Sequence, residues 1–151
     1  MKISSRVDYA LSCVLRIAEA FDSKLPLSVG TISQMEKLEP DYVEQLLIIL
    51  KKAGLLSSVR GASGGYMLST SPSKITAKDI VEAIEGKILE CVCERKKGRR
   101  NKCHHHDDCK LKVFWQGLGD EMESYLRKHT LKGLLFLRKQ EKNWQYEGSG
   151  I

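Results

Sequence analysis

The 151-residue sequence predicts a mainly α-helical fold with one small β-hairpin. Apolar residues recur at helical spacing in several segments, and two short β-type runs flank a glycine-rich turn. A hydrophobic content of 42% with 29% charged residues is typical of soluble globular proteins. The composition therefore argues against a disordered chain, and the length argues against a large multidomain enzyme.

The first helix is expected from about Ser5 to Phe21. Cys13 lies beside its apolar stripe, which favours a small buried thiol. Asp8 projects from a different side of the first turn, where a carboxylate is favourable near the helix N-terminus. The stripe consists of Val7, Ala10, Leu11, Val14, Ile17, Ala18 and Phe21.

Two shorter helices are expected next. Ser28 is predicted to cap a helix that ends near Lys37 and Leu38, with Ile32 and Met35 facing inward. Pro40 suits the first position of the following helix, which Gly54 ends. The expected buried face of that second helix is Val43, Leu46, Leu47 and Leu50. Two helices in close succession, with polar first turns on the second, indicate a helix-turn-helix.

A β-hairpin is predicted directly after this second helix. Leu55 to Val59 is the first strand and Tyr66 to Leu68 is the return, with glycines between them that permit positive φ. A hairpin in this position is the wing of a winged helix. The predicted fold class is thus a winged helix-turn-helix followed by a long C-terminal helix.

Three further helices complete the expected fold. Thr76 and Asp79 form a capping pattern for a helix that Gly86 ends. A long helix is expected from about Asp108 to Lys128, and Thr130 caps a short helix through about Leu137. The apolar residues of the first of these helices are Ile80, Val81, Ala83 and Ile84.

The long helix carries an apolar stripe that a small domain has little core to cover. We expect this stripe to pack against a second protomer as a dimerisation surface. Its residues are Leu111, Phe114, Trp115, Leu118, Met122, Tyr125 and Leu126.

The predicted organisation has four parts. Residues 1–86 form the DNA-binding domain, 87–109 a cysteine-rich loop, 108–137 the dimerisation helix with the short terminal helix, and 138–151 a flexible tail. No apolar run approaches the ~20 residues that span a bilayer. The N-terminus lacks the apolar segment of a signal peptide, so we expect a cytoplasmic protein without membrane contact.

The positive charge is concentrated in the C-terminal part of the chain. The formal net charge is +6, and residues 1–86 contribute ten basic and ten acidic side chains. The whole surplus therefore lies in residues 87–151, where the run 95–102 alone supplies six positive charges. That run is either a solvated loop or a contact for a polyanion such as nucleic acid.

The predicted DNA-contacting residues lie on the second helix of the helix-turn-helix and on the wing. Gln45 suits adenine and Glu44 suits the amino group of cytosine. Lys51 and Lys52 suit phosphates, and Arg60 suits a narrow minor groove or the adjacent backbone. The full expected set is Thr31, Asp41, Tyr42, Glu44, Gln45, Lys51, Lys52, Arg60, Ser63 and Gly64.

Four of the five cysteines form a cluster in the sequence, namely Cys91, Cys93, Cys103 and Cys109. In a reducing compartment this pattern indicates a metal site or redox chemistry. The spacing lacks the two close pairs of a zinc ribbon. An iron–sulfur cluster, a zinc ion and a metal-free thiol switch all remain open, and His104, His105 and His106 add candidate nitrogen ligands. An enzyme is disfavoured because neither a nucleotide-binding glycine motif nor a nucleophile constellation is apparent.

The stretch from Tyr42 to Tyr66, YVEQLLIILKKAGLLSSVRGASGGY, resembles the core motif of the IscR/NsrR/CymR-type regulators, the Rrf-two superfamily. The opening MKIS and the helix from Thr76 to Gly86 also fit, so the resemblance covers roughly residues 1–135. It implies a homodimeric winged-helix regulator of transcription. Its partner would be double-stranded DNA with a palindromic operator.

The resemblance also implies a cofactor. Many members hold an iron–sulfur cluster on three loop cysteines, which correspond here to Cys93, Cys103 and Cys109, with Cys91 as an alternative ligand. Lys112 stands where IscR-like members have a histidine ligand. Asp8 stands where NsrR-like members use an aspartate of the partner protomer, which favours [4Fe-4S] over [2Fe-2S]. A histidine among His104–His106 is the alternative fourth ligand, and zinc is the alternative metal.

Overall fold

The computed structural model describes residues 3–88 and 109–137. Within these ranges the chain is mainly helical with one antiparallel hairpin, which confirms the predicted fold class. The elements are α1 (Ser5–Glu19), a 3₁₀ turn (Phe21–Ser23), α2 (Val29–Glu36), α3 (Pro40–Lys52), β1 (Leu56–Val59), β2 (Gly65–Leu68), α4 (Ala77–Glu85), α5 (Lys110–Lys128) and α6 (Leu131–Leu137).

Polar side chains fix the helix starts as predicted. Ser28 Oγ accepts a hydrogen bond from the Thr31 N–H, and Thr76 and Asp79 form a reciprocal capping box. Pro40 occupies the first turn of α3, where a missing N–H costs nothing. The expected extent of the first helix was too long, because α1 ends at Glu19 and Phe21 belongs to the 3₁₀ turn.

The connection between α2 and α3 is short and tightly bonded. Lys37 takes a left-handed conformation with φ 56°, which reverses the chain after α2. The buried Ser33 hydroxyl donates to the Leu38 carbonyl oxygen, and the Leu38 N–H donates to the Ser33 carbonyl oxygen. These bonds satisfy polar groups at the C-terminal end of α2 and fix the direction in which the chain enters α3.

The wing is a four-residue antiparallel ladder that also reaches the start of α2. Leu56 pairs with Leu68 and Val59 pairs with Gly65. Leu27 forms an isolated bridge to Tyr66 through two backbone hydrogen bonds. A Cβ at Gly65 would lie 2.3 Å from the Leu27 carbonyl oxygen, so only glycine permits this close approach.

One core joins α1, α2, α3, the hairpin, α4 and α6. Its buried residues include the predicted inner face of α3, together with Ile75 and Ile80. Cys13 is fully buried, as predicted, and burial together with the nearby Glu36 carboxylate raises the pKa of its thiol to about 11. This cysteine is therefore a neutral packing residue.

The predicted inward face of α2 is partly wrong. Met35 is 44% exposed, whereas Ile32 and Ser33 are buried. Glu36 occupies the inner position instead, where its carboxylate pairs with Arg16 of α1. A charged residue was not expected there, but its ion pair compensates the cost of burial.

Helix α4 connects the winged-helix body to the long C-terminal helix. It packs against α1, α3 and α5. The Ala77 N–H donates to the His129 carbonyl oxygen at 2.7 Å, and the Leu131 N–H donates to the Ile75 carbonyl oxygen at 2.8 Å. These bonds anchor the junction between α5 and α6 at the start of α4, and α6 then packs against α1.

The predicted loop 87–109 and tail 138–151 lie almost wholly outside the described residues, as does Asp108 at the expected start of the long helix. Lys110 begins the helix that the structure describes. Among the described helices, none combines the length and apolar character that crossing a bilayer requires.

Candidate DNA interface and cluster-binding site

The outer face of α3 presents the side chains that the sequence predicted for base contacts. Asp41, Glu44 and Gln45 are exposed, while the opposite face of the helix is buried in the core. This division follows from the helical period, since positions 41, 44 and 45 lie away from the apolar stripe. The exposed amide and carboxylates are free to meet a major groove.

Glu44 also lies near the wing. The pKa of the Tyr66 phenol on β2 is raised, mainly because Tyr66 is buried and secondly because the negative charge of Glu44 is nearby. A charge on α3 therefore acts on a side chain of the hairpin.

Tyr42 is held within the domain. Its ring is half-buried and meets the ring of Tyr9 edge to face, with 6.1 Å between centroids and an interplanar angle of 87°. Such aromatic pairs prefer this geometry. Tyr42 thus helps to orient α3 against α1.

The two lysines at the end of α3 differ in their surroundings. Lys51 Nζ donates to Ser58 Oγ on β1 at 2.6 Å, which ties the recognition helix to the wing. Lys52 is exposed. Both residues lie in the last turn of α3, which leads directly into the hairpin, so this end of the helix carries two positive charges.

The wing tip places Arg60 and Ser63 in solvent. The Gly64 N–H donates to the Gly61 carbonyl oxygen at 2.9 Å, which closes the turn. A Cβ at Gly64 would lie 2.3 Å from the Val59 carbonyl oxygen, so the turn requires glycine there. The structure therefore gives Gly64 a conformational role in presenting Arg60.

Two further positions complete this surface. Thr31 is exposed at the N-terminal end of α2, and its hydroxyl lies 2.8 Å from that of Ser28. Lys37 is an exposed cation in the turn between α2 and α3, a position that is not among the DNA-contacting residues expected from the sequence.

Of the predicted cluster ligands, Asp8 and Cys109 are described. Asp8 is exposed on the first turn of α1, and Cys109 is a partly buried free thiol at the N-cap position of α5. Cys91, Cys93, Cys103 and His104–His106 lie outside the described residues. Within residues 3–88 and 109–137, no three potential ligands gather into a metal site in one chain.

The described donors fit an iron–sulfur cluster in their chemistry. Cys109 offers a sulfur ligand at the N-terminal end of α5. The exposed carboxylate of Asp8 offers an oxygen ligand to a metal group that is held outside α1. Ser4 Oγ donates to Glu85 Oε1 at 2.5 Å, so the start of α1 lies beside the end of α4, from which the cysteine-rich segment departs.

Helix α5 exposes most of its predicted apolar stripe. Phe114 is 60% exposed and Trp115 is 44% exposed, and their rings pack edge to face with centroids 5.0 Å apart. Leu111 and Tyr125 are also exposed, while Leu118, Met122 and Leu126 are half-buried. Gly117 lies in the middle of this helix with no atom within 4 Å of the position of a Cβ.

Comparison with known proteins decides the family. Residues 3–136 match the Rrf2 family, described as an iron-dependent transcriptional regulator. The chain belongs to the Rrf2 family. The regulator IscR of Escherichia coli K12 is 31% identical over 135 residues, which span 89% of this chain and 80% of IscR.

Solved structures of Rrf2 proteins share the fold. CymR, the global cysteine regulator of B. subtilis, superposes with a TM-score of 0.70 at 32% identity, covering 89% of this chain and 95% of CymR. IscR of T. potens gives a TM-score of 0.71 at 29% identity, covering 98% and 94%. The protein is therefore a DNA-binding transcriptional regulator of the Rrf2 family, and the relatives named here are regulators rather than enzymes.

Proposed function

We propose that this Rrf2 protein is a homodimeric regulator whose affinity for a palindromic operator depends on an iron–sulfur cluster. The observation that carries the proposal is the place of Cys109, which is a free thiol at the N-cap of the helix whose apolar side is exposed. A ligand at that point connects the cluster loop directly to the expected dimer interface. Such a regulator acts in the cytoplasm, where it meets chromosomal DNA.

DNA binding uses α3 and the wing together. Glu44 and Gln45 provide the acceptor and amide groups that read base edges in the major groove. Arg60 at the wing and Lys52 at the end of α3 contact the phosphate backbone, which positions the helix without specifying sequence. The Lys51–Ser58 hydrogen bond supports this by holding the recognition helix and the wing in one orientation.

The second protomer covers α5. The described core leaves no residue of this 19-residue helix buried, although Leu111, Phe114 and Trp115 are large and apolar. Burial of such side chains contributes about 25 cal/mol per Å² of apolar surface, so a second copy of the same helix is a favourable partner. An isologous contact of this kind matches the two-fold symmetry of a palindrome.

The cluster is held by Cys93, Cys103 and Cys109 of one chain and Asp8 of the partner. A [4Fe-4S] cluster in such a site supplies sensitivity to redox state, nitric oxide or iron supply. The half-buried Lys112, at the position where IscR-like members have a histidine ligand, supports the assignment to Asp8. Cys91 and His104–His106 remain the alternative ligands.

The architecture offers a route from the cluster to the DNA. Helices α4 and α5 are anchored to each other near Ala77 and His129, and their other ends are joined through the cysteine-rich segment. A change at Cys109 therefore acts on the free end of α5. Because α4 packs on α3, a change in the angle between α4 and α5 alters the placement of the two recognition helices, and cluster state and operator affinity become linked.

Two measurements on anaerobically purified protein test the proposal. Iron, acid-labile sulfide and zinc per chain, with a visible spectrum, should show near-stoichiometric iron and sulfide. Selection from a random double-stranded DNA library should return a palindrome whose affinity differs between loaded and cluster-free protein. Cys109→Ser and Asp8→Ala should make the cluster labile, whereas Cys13→Ala should leave it unchanged. Cluster-free protein after anaerobic reconstitution would contradict the proposal.

A zinc-stabilised or metal-free thiol-switch regulator is the second candidate. The similarity to CymR favours it, since S. aureus CymR, 30% identical over 89% of this chain with a TM-score of 0.67, is known in an oxidised form. This candidate predicts zinc, or no metal, together with operator binding that an oxidant changes and a thiol reductant restores. The same DNA-binding surface serves both candidates.

A further inference from the structure

Lys78 is a largely buried cation at the contact between α4 and α5. Its side chain is 15% exposed, and its Nζ pairs with Glu82 one turn along α4 and lies 3.8 Å from Glu123 Oε2 on α5. Arg127 lies 3.6 Å from the same Glu123 oxygen, which holds that carboxylate in place. The Lys78–Glu123 pair is thus a side-chain link from the DNA-binding body to the long helix.

The backbone bonds at the start of α4 fix only one point of α5. They hold His129, just past the C-terminal end of the helix, and a single fixed point leaves the helix free to swing. Glu123 lies six residues earlier, which is about 9 Å along a helix axis. A second fixed point at that distance determines the direction of α5 relative to α4, and α4 packs on the recognition helix.

Apolar packing does not fix this direction by itself. None of the residues of α5 is buried within the described chain, and even the least exposed apolar residues of its stripe, Leu118, Met122 and Leu126, are only half-buried. Loose apolar contacts tolerate sliding and rotation. The Lys78 ammonium, on a side chain that is only 15% exposed, instead favours arrangements that keep the Glu82 and Glu123 carboxylates beside it, although these are 39% and 41% exposed.

We propose that Lys78 is a positioning residue that sets the angle between α5 and the recognition helix α3. In the dimer this angle determines how far apart the two recognition helices lie, and therefore which spacing between operator half-sites is accepted. The inference rests on the proposed function in one respect, since it requires a dimer bound to paired half-sites. Lys78 itself contacts no DNA in this account.

The test uses operators that differ only in the spacer between the two selected half-sites. Each added base pair moves a half-site by about 3.4 Å and rotates it by about 35°, so a rigid dimer discriminates sharply between spacers. We expect Lys78→Met to lower the ratio of affinities for the best and next-best spacers by roughly fivefold. Lys78→Arg, which keeps the pair, should retain the wild-type ratio.

Matched controls separate positioning from charge and stability. Lys74→Met removes the same charge from an exposed lysine before α4 and should leave the spacer ratio unchanged. Glu123→Gln breaks the pair from the α5 side and should reproduce the Lys78→Met effect, with Glu121→Gln, an exposed neighbour, as its control. Circular dichroism and sedimentation should show folded dimers for each variant.

The outcomes are distinguishable. A spacer ratio that stays at the wild-type value in both Lys78→Met and Glu123→Gln would overturn the positioning role and leave the proposed function intact. Wild-type protein that binds no paired half-sites would overturn the proposed function, and this inference with it.

Discussion

Arg16 of α1 and Glu36 at the end of α2 form an ion pair in which Arg16 Nε lies 2.5 Å from Glu36 Oε1. The two side chains are only 23% and 13% exposed, and the carboxylate raises the pKa of the guanidinium. This pair joins the first helix to the helix-turn-helix at the point where the chain turns towards α3. The hydrophobic pattern of α2 had predicted Met35, rather than Glu36, as the inward-facing residue at this end of the helix.

Glu36→Ala should therefore lower the free energy of unfolding by about 1–2 kcal/mol, because a charge-assisted hydrogen bond is lost in a region with little solvent. Urea denaturation measures the change. Glu39→Ala, which removes an exposed carboxylate three residues later, should have little effect. Equal stabilities of the two variants would contradict the role of the pair.

The buried Cys13 thiol predicts a loss of stability at high pH. Its pKa rises from an ordinary value of 9.0 in the unfolded chain to about 11 in the fold, so the folded state holds the proton more tightly. The contribution of this thiol to the free energy of unfolding is fully present below pH 9. It is lost between pH 9 and pH 11, which lowers the free energy of unfolding by about 2–3 kcal/mol. Cys13→Ala should lose this part of the pH dependence, and an identical decline in both proteins would exclude the thiol as its cause.

Arg60→Ala should weaken operator binding about tenfold and reduce the slope of log affinity against log salt by about one, as expected for one lost backbone contact. Fluorescence anisotropy at several salt concentrations measures both quantities. Lys128→Ala removes one exposed charge from the end of α5 and serves as the control. Unchanged affinity at matched salt would remove Arg60 from the interface.

Phe114→Glu should convert the dimer to a monomer, because it places a charge within the exposed apolar side of the N-terminal part of α5. Since Phe114 is exposed within the described chain, the helical circular dichroism of the DNA-binding domain should survive. Sedimentation at a series of concentrations reports the molar mass. Gln116→Glu adds the same charge at another exposed position and should remain dimeric. A dimeric Phe114→Glu protein would mean that another surface carries the assembly.

Lys37→Gly should raise the free energy of unfolding by about 0.5–1 kcal/mol, because glycine adopts the left-handed conformation without the steric cost of a Cβ. Lys52→Gly should have the opposite sign, since that residue is helical. Thermal denaturation distinguishes the two. Operator affinity should nevertheless fall in Lys37→Gly if the lost ammonium contacts phosphate.

The sequence predicts elements well where local chemistry decides them. Ser28 and Thr76 cap helices because their hydroxyls satisfy backbone N–H groups one turn ahead, a feature readable from three or four residues. The inner face of α2 could not be predicted this way. Glu36 faces inward only because Arg16, twenty residues earlier, reaches it.

The candidate site likewise contains features that local sequence predicts and features that depend on tertiary packing. The exposure of Glu44 and Gln45 follows from the period of α3 and was predictable. The engagement of Tyr42 with Tyr9, and of Lys51 with Ser58, depends on how α1 and the hairpin pack around α3. The ligand roles of Asp8 and Cys109 remain predictions, because most of their proposed co-ligands lie outside the described residues.

Gly117 and its neighbour Gly119 give α5 an uneven local stability. Each glycine in a helix interior costs about 1 kcal/mol relative to alanine. In the part of the helix before them, the large apolar side chains Leu111, Val113, Phe114 and Trp115 are exposed. Amide hydrogens of that first part should exchange with solvent well before those near Glu123, which is anchored to α4. The stability of the α5 segment between Cys109 and Gly117 therefore depends on what covers its apolar side. Folding of this segment and binding of a partner to its apolar side form one coupled equilibrium.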